Sequence, residues 1–157
     1  MGIIGSWEGY VTSPLYLFNN GSWNGLQTTG MLGSTQSGSE LIFPAGTLGR
    51  LNQTVDLTRY NYIKINSMNE FAAYGVMDIG ISTDPNIKTI SSKNCVAYVT
   101  AMNSVMGSGY FIAILDISLI SGFYYIYTKS YSYKSGGGGM YVSTYPGRIN
   151  QIYLAVN

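Results

Sequence analysis

The sequence predicts an all-β domain, an antiparallel two-sheet β-sandwich of the jelly-roll type, and three observations lead there. Only 10% of its 157 residues are charged, against roughly a quarter in ordinary soluble domains. Helical domains draw their exposed faces from Lys, Glu, Gln and Ala; here solubility falls to Ser, Thr, Asn, Gly and Tyr. The 20 Gly and 15 Tyr imply many turns and aromatic strands. Finally, short β-favouring runs alternate apolar and polar residues, and no stretch beyond about ten residues keeps a helical period.

The runs predict strands over Leu15–Asn19, Glu40–Phe43, Gln53–Leu57, Tyr62–Met68, Gly75–Ser82, Asn94–Met102, Tyr110–Ser118, Gly122–Ser130, Tyr141–Thr144 and Gln151–Val156. Asn19-Asn20-Gly21 and Ser121-Gly122 supply residues that tolerate positive φ, and Asp84-Pro85-Asn86 reads as a loop. Alternation sends Met77, Ile79 and Ile81 inward with Asp78 opposite. Phe111, Ala113, Leu115, Ile117 and Leu119 share a face, and Ile112 and Ile114 keep the other face apolar. That reads as a central strand covered on both sides, joined to the next strand as a hairpin across Ile120–Gly122. The expected core holds Ile63, Ile65, Ile79, Ile81, Leu115, Ile117, Ile152 and Leu154. Ser130–Gly139, with four consecutive glycines, reads as a flexible loop. Residues 1–13 read as a linker or first edge strand of one domain spanning 14–157, itself expected to be cut from a longer chain.

Composition excludes several classes of function. The 8 basic and 7 acidic side chains nearly balance, and the basic ones are scattered, which argues against nucleic acid and against an anionic membrane surface. The most apolar stretch, Tyr110 to Tyr127, carries Asp116 and several serines and is not a transmembrane helix. No stretch has the form of a signal peptide. Cys95 is the single cysteine, so no internal disulfide forms, and its apolar setting reads as a buried thiol.

Catalysis has little to work with. With no histidine, Ser-His and Cys-His nucleophiles, imidazole bases and His-containing metal sites are gone. Gly136–Gly139 lacks the strand, Lys-Ser/Thr and helix of a phosphate loop. A carboxylate pair of the glycosidase kind remains, with Asp78 and Asp116 as its best candidates should their strands be neighbours. Asp56 reads as a local anchor for backbone N–H groups. Asp84 and nearby carbonyls are the one place for calcium, without the oxygen-ligand spacing of a dedicated loop. The expectation is no enzyme, no cofactor and no metal.

One segment narrows the class. Thr54-Val55-Asp56-Leu57-Thr58-Arg59-Tyr60-Asn61-Tyr62-Ile63-Lys64-Ile65 resembles the early core strand of jelly-roll carbohydrate-binding-like domains, an Asp-Leu-Thr turn feeding a strand whose Ile63 and Ile65 enter the core while Tyr60 caps it. Arg148-Ile149-Asn150-Gln151-Ile152-Tyr153-Leu154 has the same apolar spacing, as expected of a closing strand beside the early ones. Leu15-Tyr16-Leu17-Phe18-Asn19-Asn20-Gly21-Ser22-Trp23-Asn24-Gly25 resembles the opening of β-sandwich modules in tail proteins of phages that infect low-GC Gram-positive bacteria, with Ser22 where those openings carry a cysteine or acidic pair.

The resemblance implies a non-catalytic module on a virion tail or baseplate fibre. Its partners would be a host cell-surface polysaccharide and other tail or baseplate chains, a homotrimer among the arrangements, with neither nucleic acid nor membrane involved. Sugar recognition would use aromatic faces and orienting polar groups. The candidate ligand-binding residues are Trp23, Asn24, Tyr131, Tyr133 and Tyr145, gathered at loops near one end of the sandwich, with Trp7 as an alternative. Two further readings stand beside this one: a structural or trimerising spacer of the tail, and a carbohydrate-binding module of a secreted glycoside hydrolase.

Overall fold

The computed structural model describes residues 13–69, 74–103, 109–136, 139–142 and 146–157, and the side chains of 69 and 133–142 lie outside that description. Fourteen strands and no helix make up the described residues. They are β1 (Leu15–Asn19), β2 (Ser22–Trp23), β3 (Met31–Leu32), β4 (Thr35–Ser37), β5 (Glu40–Phe43), β6 (Leu48–Leu51), β7 (Val55–Asp56), β8 (Tyr62–Asn69), β9 (Tyr74–Ser82), β10 (Ala97–Met102), β11 (Gly109–Asp116), β12 (Phe123–Gly136), β13 (Gly139–Val142) and β14 (Gly147–Ala155).

Two antiparallel sheets form from them. The first runs β11-β8-β14-β1-β2, with β5 also on β14 and β4 on β5; the second runs β10-β9-β12-β6-β3, with β13 and β7 on β12. Take the eight principal strands in chain order, β1, β6, β8, β9, β10, β11, β12 and β14, and number them one to eight. The first sheet then reads 1-8-3-6 and the second 2-7-4-5, the wrapped order of a jelly roll.

The core lies between the sheets, and all eight residues expected there are buried, Leu115 being the least so at 4% exposure. Leu154 pairs with Ile63 and Ile152 with Ile65 across β14 and β8, so the last strand packs its apolar face beside the early one. Ile79 and Ile81 face them from β9. Tyr60 packs against the edge of the same cluster.

A second, smaller cluster sits on the outer face of the second sheet, where Ile87 and Cys95 close over Tyr127. The thiol is thus buried, though outside the main core. Polar clasps hold this cover down. The Arg50 guanidinium lies 4.6 Å over the Tyr125 ring and donates to the Pro85 carbonyl at 2.7 Å, and the Tyr127 hydroxyl donates to the Asp84 carbonyl. Gly80 leaves room beneath it, since a Cβ there would meet Cys95 Sγ at 2.8 Å.

Four expectations from the sequence change. Among the described residues β11 is an edge strand bonded to β8 alone, not a central one, and Ile112 and Ile114 on its outer side are 51% and 44% exposed. β11 and β12 form no hairpin, because the chain crosses from the first sheet to the second between them. The segment from Ser130 is no flexible loop up to Gly136, because β12 continues through it and pairs Tyr133–Gly136 with β13. Finally, the run from Gln53 pairs only at Val55–Asp56, and the short strands β2, β3, β4 and β6 were not foreseen. Residues 1–12, with Trp7, lie outside the described residues.

The two sheets approach closely near the start of β14. Gly147 is buried against Ser130 of the opposite sheet, and a Cβ on it would lie 2.3 Å from Ser130 Cβ, a clash no rotamer relieves. Gly147→Ala is therefore expected to destabilise the fold by about 1–3 kcal/mol through overpacking, measured by urea unfolding, with Ser130→Gly in the same chain restoring most of it.

Candidate binding face

The outer faces of the two sheets differ. The cover over Tyr127 occupies much of the second, while the outward residues of the first remain partly or largely accessible on β1, β8 and β11. Strand alternation fixes what that face presents. Because Ile63, Ile65 and Ser67 point into the core, Tyr62, Lys64 and Asn66 point out of it. Pairing then aligns outward residues into rows. One row is Ile112, Asn66, Gln151 and Asn19; the next is Ile114, Lys64, Tyr153 and Tyr16. Four strands at about 4.8 Å spacing make each row roughly 14 Å long.

β14 shifts register between Ile149 and Gln151 where it pairs with β8, and the bulge places Asn150 and Gln151 side by side. Bulges re-aim side chains in this way. On the neighbouring strand Asn20 takes a positive φ of 48°, an αL geometry Asn accepts better than most residues. Its backbone N–H donates to the Asn150 carbonyl at 2.8 Å. The result is a cluster of carboxamides from chain segments 130 residues apart. Gln151 Nε2 donates to Asn19 Oδ1 at 2.9 Å, Asn20 Nδ2 to the same oxygen at 3.1 Å, and Asn150 Nδ2 to Asn20 Oδ1 at 3.3 Å, while Asn66 stands opposite Gln151. Asn150 Oδ1 is buried and accepts no hydrogen bond.

Beside the amides the rings of Tyr16 and Tyr153 meet at 5.1 Å with planes tilted by 34°. Burial, then Tyr16, raises the Tyr153 hydroxyl above its ordinary pKa, so it stays a neutral donor. Lys64 Nζ lies 5.7 Å over the Tyr62 ring and donates to the Asn157 carbonyl at 2.6 Å. Lys64, Tyr153 and the final residues line a shallow cleft of about 210 Å³. At the far end of the face the Tyr110 hydroxyl donates to Glu40 at 2.6 Å, and Arg148 pairs with the same carboxylate at 3.2 Å. Burial and the Glu40 hydrogen bond push Tyr110 up to about 12.

Among the residues singled out from sequence, the described Trp23 and Tyr131 lie on different sheets. Trp23 lies in β2 of the first sheet, its ring 4.8 Å from that of fully buried Phe18 and its indole N–H donating to Gln36 at 3.2 Å. The indole is therefore packed on the core edge, because β2 pairs Trp23 with Phe18. Asn24 is spent on its own turn, donating to the Tyr16 carbonyl and accepting from the Leu26 N–H, both at 3.2 Å. Tyr131 belongs to β12 of the second sheet, 5.7 Å from Lys129 Nζ. The backbone of Tyr133 lies on β12 with its side chain outside the described residues, and Tyr145 falls outside them altogether. The amide cluster was missed, though Tyr62-Lys64-Asn66 opposite Ile63-Ile65 carried part of its signal.

The described aspartates are dispersed. Asp78 sits on β9 of the second sheet and Asp116 on β11 of the first, each facing away from the core, so the two cannot flank one glycosidic bond. Asp56 and Asp116 each hold the N–H and hydroxyl two residues ahead, Thr58 and Ser118, and these bonds lower both pKa values. Asp84 holds the Asn86 N–H at 2.8 Å. Among the described residues no three Cys, Asp or Glu side chains gather as a metal site, and no helix is long and apolar enough to cross a membrane.

No family model and no curated protein matches the sequence. Among solved structures the chain is similar to a glycoside hydrolase family 43 arabinoxylan arabinofuranohydrolase from Bacillus subtilis, crystallised with cellotetraose. The two share 11% identity over 93% of this chain and 27% of that one, at a TM-score of 0.46. A similar likeness holds to the glycoside hydrolase domain of Endo-D from Streptococcus pneumoniae, with 12% identity over 75% of this chain and 18% of that one, at 0.42. The chain thus spans about a quarter or less of either protein, and at these scores the likeness carries no argument about activity.

Asp78 differs from the other aspartates because burial raises its pKa, against hydrogen bonds from Thr100 and Tyr131 and the charge of Lys129. A carboxyl raised in the folded state favours folding below its unfolded pKa of about 3.9 and loses that contribution as pH rises through the folded value. Asp78→Asn is therefore expected to gain melting temperature relative to the parent as pH rises from about 3.5 to about 7, with thermal unfolding across that range as the check.

Proposed function

We propose that this domain is a non-catalytic module that binds saccharide on the outer face of its first sheet, where the amide cluster borders the Tyr16–Tyr153 pair. The observation that carries the reading is the convergence of Asn19, Asn20, Asn66, Asn150 and Gln151 around one bulge beside two tyrosine rings. A carboxamide offers donors and acceptors on one rigid plane, which suits vicinal hydroxyls, and an aromatic ring gives the apolar side of a sugar something flat to lie on. The only charged side chain in the two rows is Lys64, which suits a neutral or weakly acidic glycan. The dispersal of the described aspartates and the lack of histidine support binding without cleavage.

The resemblance of Leu15–Gly25 to the opening of phage tail modules supplies the setting of the proposal, a virion tail or baseplate fibre that meets host cell-surface polysaccharide. The proposed binding residues leave out Trp23, which packs on Phe18, and Asn24, which is bonded within its own turn.

Retention on host cell walls tests the reading. Gln151→Ala and Tyr153→Ala are each expected to weaken retention about five- to tenfold, the worth of a hydrogen bond or ring contact near 1 kcal/mol, while the melting temperature stays within a few degrees. Trp23→Ala should instead lower the melting temperature markedly, because it uncovers Phe18. Unchanged retention in both face variants would discard the site.

A further inference from the structure

The connection between β9 and β10, residues 83–96, contains no strand, yet it does not loop out into solvent. It folds back across β9 towards β12 and β6, where Ile87 and Cys95 close over Tyr127, with Ile90, Leu48 and Tyr125 packed around them. Its seat is a notch. Gly80 pairs with Tyr98 of β10 on one side and with Tyr127 of β12 on the other, so a side chain is missing between two rings. A Cβ there would meet Cys95 Sγ and Ile90 Cγ2, each at 2.8 Å; those two side chains fill the gap.

The attachment is narrow. Residues 83–86, 88–89 and 92–93 are exposed, and the buried anchors belong to a cluster separate from the core between the sheets. Two side chains of the sheet grip the near end: the Tyr127 hydroxyl donates to the Asp84 carbonyl, and Arg50 donates to the Pro85 carbonyl at 2.7 Å. The Ile87 N–H bonds to the same phenol. Further bonds run within the segment. Asp84 accepts from the Asn86 N–H at 2.8 Å, Asn94 Nδ2 donates to the Thr89 carbonyl at 2.9 Å, and the Cys95 N–H donates to the Ser91 carbonyl at 2.9 Å. The segment can therefore keep its shape away from the sheet. At its far end the Val96 N–H donates to the Ile81 carbonyl at 3.0 Å, where the β9–β10 ladder begins.

We infer that residues 83–95 form a strap that lifts from the second sheet as a unit, hinged on the β9–β10 ladder, while the sandwich stays folded. Lifting breaks no strand pairing and takes nothing from the main core, and segments with few buried apolar contacts open at lower cost than the whole domain. It uncovers Tyr125, Tyr127 and Leu48 with the Arg50 guanidinium beside them, an aromatic and cationic face that the closed strap hides. This is the outer face of the second sheet, so the inference stands or falls separately from saccharide binding on the first.

Cys95 is the single cysteine and reports the opening. Labelling of the native protein with a chromogenic aromatic disulfide, at rising urea, tests the inference. Labelling is expected without urea, at a rate that climbs with urea far less steeply than global unfolding does, because that slope scales with the surface exposed. Gly80→Ala, which fills the notch, and Tyr127→Phe, which removes a latch bond, should each speed labelling at least about fivefold. Gly147→Ala weakens the sandwich from between the sheets and should leave the low-urea rate unchanged. Labelling with the full urea slope of global unfolding, labelling that Gly147→Ala speeds as much as the latch variants do, or labelling that neither latch variant changes would overturn the inference.

Discussion

The pairing of β14 with β8 is the constraint on which the rest of the domain depends. It joins the final strand to an early one through Ile152–Ile65 and Leu154–Ile63, and β14 also carries β1 and β5 along its other side. Without β14, the first sheet would separate into β8–β11 and the short N-terminal strands. Such a fold must close a long loop before its central contacts form, which makes collapse slow and cooperative rather than local. The same pairing fixes the outward rows, because every core residue placed by β14 and β8 puts its neighbours on the open face. The bulge at Asn150–Gln151 breaks that alternation, and there the amides converge.

Much of this was legible in the sequence, and the reasons are specific. Period-two runs on β8, β9, β11 and β14 identified core residues correctly because each strand has one face against the opposing sheet. The same logic failed on β11, where Ile112 and Ile114 read as a second buried face; periodicity reports that a residue is apolar, not that something covers it. Gly136 and Gly139 looked like loop because glycine is intrinsically poor in strands, yet the long β12 carries the ladder into them. Strands of two or three residues leave no period to read. The amide cluster was beyond reach for another reason: Asn19 and Gln151 become neighbours only through strand order, which composition does not encode.

The two outer faces resolve the scarcity of charge in different ways. On the second sheet, the segment after β9 folds back over Tyr127, and Arg50 is drawn onto the Tyr125 ring and the Pro85 carbonyl. Its cation therefore serves packing rather than solvent. On the first sheet the polar load is carried by neutral amides and tyrosine hydroxyls, with Arg148 and Glu40 paired at one margin. A face of that kind carries no desolvation cost of the sort that buried charges would impose. Among the described residues Asp56, Asp84 and Asp116 are each tied to a backbone N–H two residues ahead, which spends their carboxylates locally.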